Sequence, residues 1–354
     1  MSNSLLSFDL KKLKLPPWLT LGTPADGAGA ALRAKYPPVA MEMGSSQLTV
    51  VRLAKDRAKK WSLTACDLVE VPPDLIDSEV FRVKIKSADR FRALVAGALQ
   101  KGGLKTTAIS LVLPDHLARV ALLPFEELPR TRREVMELVR WKMKKAVPFK
   151  VEDSVVDYQI LPPDGEKMTT VLAVLMPSSI VDEHDAVFRS QGIHAGLIDL
   201  SSFSLMNLYR PIIETEVPAD RDFMLLNVTS SFFSVMVFRS GRLVLYRCKT
   251  FAFEGVRDAE GDYRMMRREL QASLVYYQEK LGGAELAKIY MRVVGHEPGR
   301  IAAVFRGEAV ASEPEGIDPS RLVSMPGRSS AVSPELLQQL APAVGAALGR
   351  DWEA

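Results

Sequence analysis

Cysteine and histidine are scarce in this chain: 354 residues include two cysteines and four histidines. Cys66 and Cys248 lie far apart in apolar, strand-like stretches, which excludes a disulfide-stapled secreted scaffold and predicts reduced, buried thiols. His116, His184, His194 and His296 show no His/Cys/Asp ligand spacing, so no metal site is predicted; His184, on an acidic helical stretch, is expected to face solvent. No run approaches the roughly 20 apolar residues that a membrane-crossing helix needs, and the first residues lack the apolar core of a signal peptide. A net charge of +3 is too small to call for nucleic acid. No phosphate-binding Walker loop, dinucleotide fingerprint or Ser/His/Asp order is present. Glu152 and Asp153 are adjacent, and adjacent residues of a strand point to opposite faces, so they read as a turn rather than a catalytic carboxyl pair. These absences predict a cytoplasmic protein with no catalytic residues, metal or cofactor.

What is present is a pattern of apolar runs. Residues 1–36 form an N-terminal extension in which LLSFDLKKLKLPPWLTLG mixes Leu, Phe and Trp18 with lysines. Such a mixture suits contact with a membrane surface through residues 1–20, although Pro16 and Pro17 break any helix there. Residues 37–116 read as a first lobe. VAMEMG, LTVVRL and WSLTACDLVEV are three strands, DRFRALVAGALQKGG is a helix closed by Gly102 and Gly103, and TAISLVLP is a buried strand. Residues 117–192 read as a small inserted α+β unit. Its first helix, TRREVMELVRWKMKKAV, opens on a Thr131/Glu134 capping box, buries Val135, Leu138, Val139 and Met143, and stops at Pro148. Residues 193–220 return to the first lobe, and 221–308 make a second. In that lobe strong β residues over 223–251 precede a long helix striped by Leu270, Leu274, Tyr277 and Leu281. The strand KIYMRVVG follows, then a helix opened by Pro298. The last stretch, 309–354, packs back on the lobes; its helix has Ser333 as N-cap, Pro334 at the first turn and a kink at Pro342.

Two hairpin-plus-helix lobes with one unit spliced into the first resemble the α/β, actin-like (ribonuclease H-like) fold. Within it, LPRTRREVMELVRWKMKKAVPFKVEDSVVDYQIL, AGLIDLSSFSLMNLY and LAPAVGAALG, in that order, resemble the PilM-like family of type IV pilus assembly, which is related to FtsA. The resemblance covers roughly residues 38–348. It implies a cleft that binds ATP and magnesium between two hairpin turns and a glycine-rich turn. Here the first turn has Glu42, Gly44, Ser45 and Ser46, with a carboxylate one methylene longer than the family's aspartate. The second has Asn227, Thr229 and Ser230, with an amide in place of a carboxylate and a β-branched residue in place of a glycine. The third has Gly295 followed by His296, Glu297 and Pro298. About 15 residues separate the second hairpin from the long helix, too few for the family's fourth subdomain.

Four departures at one place predict a degenerate nucleotide site and a non-catalytic scaffold. The resemblance implies a PilN-like single-span inner-membrane protein as partner, held in a groove between the insertion and its host lobe. Trp141 and Phe149 are the candidate anchors and Arg140 and Lys144 the rim charges, although an aromatic such as Trp141 on a helix equally suits core packing. Other pilus platform proteins or the motor ATPase are further possible partners. Two alternatives stay open. One is an active ATPase in which Glu42 serves as the metal carboxylate. The other is the cytoplasmic part of a type II secretion platform protein, which would be expected to continue past GRDWEA into a membrane span.

Overall fold

A computed structural model describes residues 37–162, 168–251, 259–325 and 332–349. The extension expected over residues 1–36 lies outside the described residues.

The first sheet begins with an antiparallel meander, β1 (Val39–Met43), β2 (Gln47–Lys55) and β3 (Trp61–Glu70). A two-stranded hairpin, β4 (Ile76–Glu79) and β5 (Arg82–Ile85), follows, then helix α1 (Ala88–Lys101) and strand β6 (Ala108–Leu113). The small hairpin escapes a reading by periodicity because four-residue strands hold too few alternations. Ser87 caps α1, and Phe91, Val95, Ala98 and Leu99 form its buried face. β6 lies parallel to β1, so α1 supplies the crossover that parallel strands require.

The insertion is a three-stranded sheet ordered β7-β9-β8: β7 (Arg119–Phe125), β8 (Ser154–Ile160) and β9 (Thr169–Pro177). Helices α2 (Arg132–Met143) and α3 (Ser178–Arg189) accompany it. The Thr131/Glu134 capping box forms as the sequence predicts, and Val135, Val139 and Met143 point into the insertion's own core. Glu152 and Asp153 fall in a 3-10 turn, not a strand. His184 corrects an expectation. It is buried with its Nδ1 2.7 Å from the Ile180 carbonyl, because it shares the i, i+4 stripe of Ile180, Val187 and Phe188 while the acidic residues flank it. Burial holds its pKa below the usual value. Cys66 and Cys248 are free cysteines of intermediate residue exposure, and burial raises the pKa of both thiols.

The chain then returns to the first sheet as β10 (His194–Leu200), followed by α4 (Ser201–Glu216). The second lobe repeats the first. β11 (Asp222–Val228), β12 (Phe232–Arg239) and β13 (Arg242–Thr250) make a meander, α5 (Ala259–Lys280) crosses over, and β14 (Leu286–Val293) pairs parallel to β11. The stripe predicted for α5 ends at Tyr277, since the helix closes before Leu281. Pro298 opens α6 (Pro298–Ala302) at its first turn, as predicted, and β15 (Glu315–Gly316) pairs parallel to β14. The sheet orders are β10-β6-β1-β2-β3 and β15-β14-β11-β12-β13, the same topology twice. This is the duplicated, two-lobed actin-like arrangement. β13 ends at Thr250 and α5 starts at Ala259, which leaves too little chain for a further subdomain between them.

The last helix, α7 (Pro334–Leu348), closes the first lobe rather than the second. It packs on β1, β2 and β6 and alongside α4, and it is buried on nearly every side. Small residues permit this approach: a Cβ on Gly345 would lie 2.0 Å from the Ser204 carbonyl oxygen and 3.1 Å from Leu208 Cβ. Asn207 fastens the crossing by donating to the carbonyls of Gly345 and Gly349 at 2.9 and 3.0 Å.

Gly345→Ala is therefore expected to cost about 2–4 kcal/mol in urea unfolding, because backbone must move to admit one methyl group. Gly97→Ala on α1 meets nothing within 4 Å and is expected to be neutral or to stabilise by up to about 1 kcal/mol. Equal effects at the two sites would contradict this packing.

Candidate functional site

Three turns meet at the cleft between the lobes. The first follows β1, where Glu42 is buried and Gly44 closes the hairpin by donating to the Gln47 carbonyl at 2.9 Å. Only glycine fits there, since a Cβ would stand 2.7 Å from that same oxygen. The second turn follows β11, whose Asn227 is fully buried. The third follows β14, where Gly295 at φ +80° lies so close to Ser230 that a Cβ would come within 3.1 Å of the serine Cβ. Across the cleft the hydroxyls of Ser46 and Ser230 are 3.5 Å apart. The sequence-predicted set of Glu42, Gly44, Ser45, Ser46, Asn227, Thr229, Ser230 and Gly295 is thus brought to one place by topology.

In the second turn the backbone serves itself. The Thr229 hydroxyl accepts from the amides of Ser231 and Phe232 at 3.3 and 3.1 Å and donates to the Phe232 carbonyl at 3.0 Å. Hydroxyls of Ser and Thr commonly compete for turn amides in this way. The Thr229 carbonyl faces His296 Nε2 at 3.1 Å, and the imidazole ring packs on Phe251. Amides that would otherwise point at an anion are already bonded.

The centre of the cleft holds Arg292, which the sequence reading did not single out. It sits near the end of β14 and its guanidinium meets Glu42 end on: Nη1 to Oε1 is 2.9 Å and Nη2 to Oε2 is 2.8 Å. The same Nη1 reaches Ser201 Oγ and Asn227 Oδ1, each at 3.3 Å. Asn227 Nδ2 in turn donates to Ser201 Oγ at 2.9 Å and Ser202 Oγ at 3.2 Å, and the Ser201 hydroxyl donates to Glu42 at 3.2 Å. Ser202 continues the chain to Asp115 through both its amide, at 3.0 Å, and its hydroxyl. Every member of this network is buried. A charge taken out of water persists only when it is paired and hydrogen-bonded, and the fork of a guanidinium matches a carboxylate in two parallel bonds.

Helix α7 completes the arginine's shell through its proline. Pro342 has no N–H, so the carbonyl four residues earlier, on Gln338, loses its helical donor. Arg292 Nε donates to that carbonyl at 2.8 Å, while the Gln338 side chain accepts from the Val293 amide at 2.6 Å. The one clue in the sequence was an arginine inside the apolar strand KIYMRVVG.

Burial raises the carboxyl pKa of Glu42, with Arg292 opposing that shift, and burial likewise raises Asp115. Asp199, at the end of β10, is pushed up by burial to about 7 although Ser204 and the Leu200 amide bond to it. Burial takes His116, bonded to Ser78, down to about 4. Among the described residues no group of three or more His, Cys, Asp or Glu side chains is placed to hold a metal ion. The residues present do not fit magnesium. Both Glu42 oxygens already accept from a fixed cation, and Asn227 offers an amide with both ends engaged.

The second predicted group lies on the insertion. Trp141 is 72% exposed, on the side of α2 away from Val139, so of the two readings left open for it core packing is the one set aside. Lys144 is exposed and pairs with Glu152 at 3.2 Å. Arg140 turns inward to donate to the Val151 carbonyl at 3.0 Å. Phe149 packs edge-on against Phe81 of the β4–β5 hairpin with centroids 5.4 Å apart, which joins the insertion to its host lobe.

Comparison with known proteins gives one family match: the family described as "Type IV pilus assembly protein PilM" matches residues 40–259. Among solved structures, one titled as a PilM–PilN type IV pilus biogenesis complex is similar. The aligned parts cover 89% of this chain and 97% of that one, at 18% identity and a TM-score of 0.71. A protein of actin-like ATPase fold and unknown function from Bacteroides thetaiotaomicron aligns over 84% and 96% of the two chains, at 11% identity and a TM-score of 0.47. The cytoplasmic domain of EpsL, an inner membrane component of the type II secretion system of Vibrio cholerae, aligns over 79% and 89%, at 9% identity and 0.44. No curated protein matches.

Removing one side of the central pair leaves the other charged and buried. Arg292→Met is expected to cost about 3–5 kcal/mol in chemical unfolding, and adding Glu42→Met is expected to restore most of it. An additive double variant would contradict a coupled pair. Asp199 also makes a pH prediction. Its folded value of about 7 lies above an ordinary value of 3.8, so between them the folded protein keeps a proton that the unfolded chain has released. Its contribution is fully present below about pH 4 and is lost as pH rises through 7. Asp199→Asn is expected to be level with wild type near pH 4 and to gain on it, by on the order of 4 kcal/mol, by pH 8. A difference that does not vary with pH would contradict the assignment.

Proposed function

The chain belongs to the family of type IV pilus assembly proteins described as PilM, and on that footing we propose that it is a nucleotide-independent scaffold. In this reading it works beside the inner membrane and holds the cytoplasmic tail of a single-span, PilN-like membrane protein. The observation that carries the proposal is Arg292. A guanidinium bonded to both Glu42 oxygens and to Asn227 stands where a phosphate-bound cation would need those groups free. A second positive ion at that distance would meet direct repulsion in a low-dielectric cleft. The self-bonded turn at Thr229 removes the amides that would cradle phosphate. With the described polar groups of the cleft bonded to one another, this reading turns to the surface.

The seam between insertion and first lobe is the favoured surface. One similar solved structure is titled a PilM–PilN complex, and a tail held in that seam would account for a two-lobed protein that keeps its insertion while its cleft is filled. Phe81 holds φ 58°, a backbone that bulky residues rarely adopt, and so brings its ring to Phe149. Strain of that kind is retained where surrounding structure over-determines it, commonly at binding sites. The Glu183 carboxylate accepts from the Ile85 amide at 2.7 Å on the same seam. Apolar side chains of an extended tail would enter between the two units, with Lys144 on the rim steering its approach.

The test is fluorescence anisotropy of the cognate membrane protein's cytoplasmic tail peptide. Phe81→Ala and Phe149→Ala are each expected to weaken binding by about tenfold, the range of a buried aromatic anchor, and Mg·ATP is expected to change nothing. Affinity that rises with Mg·ATP, or that ignores both substitutions, would overturn the reading.

A further inference from the structure

The turn at the C-terminal end of α2 is built differently from the seam beside it. Trp141, Ala146 and Pro148 are all exposed there, together with Lys144, Lys145 and Lys150. Trp141 is the most exposed of the large apolar side chains among the described residues, at 72%. From Leu138 to Val151 the chain has five basic residues, Arg140, Lys142, Lys144, Lys145 and Lys150, and no acidic one. The inward members are Arg140, bonded to the Val151 carbonyl, and Lys142, bonded to the Pro124 carbonyl and lying over the Phe125 ring. The acidic groups nearest in sequence are Glu137, Glu152 and Asp153, and Glu152 is taken by Lys144. Among the described residues, Lys145 and Lys150 make no ion pair.

We infer that this turn meets the anionic headgroup surface of the bilayer. A side chain exposed to that degree sits in no pocket, whereas recognition of a peptide takes alternate side chains into pockets. A plane of lipid needs no pocket. Trp suits the headgroup region because its ring is apolar and its N–H stays wet, and lysines around it are drawn to a negative leaflet. The placement also agrees with the proposed role, on which this inference rests. Phe149 lies in the seam and Pro148 on the tip next to it, so a partner tail seated in the seam, a short length of chain from its own membrane span, would hold the tip against the lipid. The two contacts would then reinforce one another as linked sites do.

Flotation of the full chain with vesicles tests this without any partner. Vesicles of phosphatidylcholine with about a third phosphatidylglycerol are expected to carry the protein and pure phosphatidylcholine is not, with binding lost at high salt. Trp141→Ala and the pair Lys145→Glu/Lys150→Glu are each expected to reduce the bound fraction about tenfold. Neither should change the anisotropy-measured affinity for the tail peptide by more than about twofold, which separates failure here from failure of the scaffold reading. Two results would overturn the inference. One is flotation unchanged by both variants and abolished by removing residues 1–20. The other is no flotation at all together with loss of tail binding in Trp141→Ala, which would assign the tip to the protein partner.

Discussion

A buried ion pair joins the two lobes at their cleft, beside an apolar core that they share. Glu42 comes from the first strand of the first lobe and Arg292 from the fourth strand of the second, 250 residues later. Their two parallel bonds span the cleft on which the fold is built. Such a pair contributes little net stability over apolar packing, but it is strongly unfavourable to break halfway. The lobes are therefore free to meet in this arrangement and poorly able to meet in another. Hinge motion of lobes around a ligand is a common use of two-lobed folds; here an internal cation bonds groups of both lobes across the cleft.

The rest of the cleft is consistent with that constraint. Pro342 leaves a carbonyl of α7 without its helical donor and the arginine supplies one, so a break in a helix becomes a ligand for a charge. Gly345 lets α7 lie directly on α4, and the Ser201–Ser202 pair that opens α4 delivers two hydroxyls to the same network. Asp115 ends the chain of bonds beside His116, whose backbone carbonyl accepts from the Phe81 amide on the β4–β5 hairpin. Covalent neighbours thus link the filled cleft to the seam proposed for the partner. That link suits the proposed scaffold role, since a tail is bound more tightly by a surface that need not reorganise.

Much of this was legible in the residues. The Thr131/Glu134 box, Pro298 and Ser333 marked helix starts because caps act locally and leave short, fixed spacings. The altered turns at Glu42, Asn227 and Thr229 could be recognised because each places a residue type where backbone geometry or charge disfavours it. What escaped depended on distance in space. Arg292 reads in isolation as one polar residue in an apolar strand, and only the pairing of β14 with β11, together with the side-chain bonds from Arg292 to Glu42 at the end of β1, shows what it faces. His184 looked solvated because its neighbours in sequence are acidic, yet its neighbours at helical spacing are apolar. Trp141 was ambiguous for the same reason: the face that a helix buries depends on what packs against it.

The central claim is that the protein's own guanidinium replaces a nucleotide-bound cation and leaves protein contact as its work. Isothermal titration calorimetry of the full chain with ATP and magnesium tests it most directly. The account predicts no saturable heat up to millimolar nucleotide, with the Arg292–Glu42 pair intact. Saturable binding in the micromolar range would contradict it.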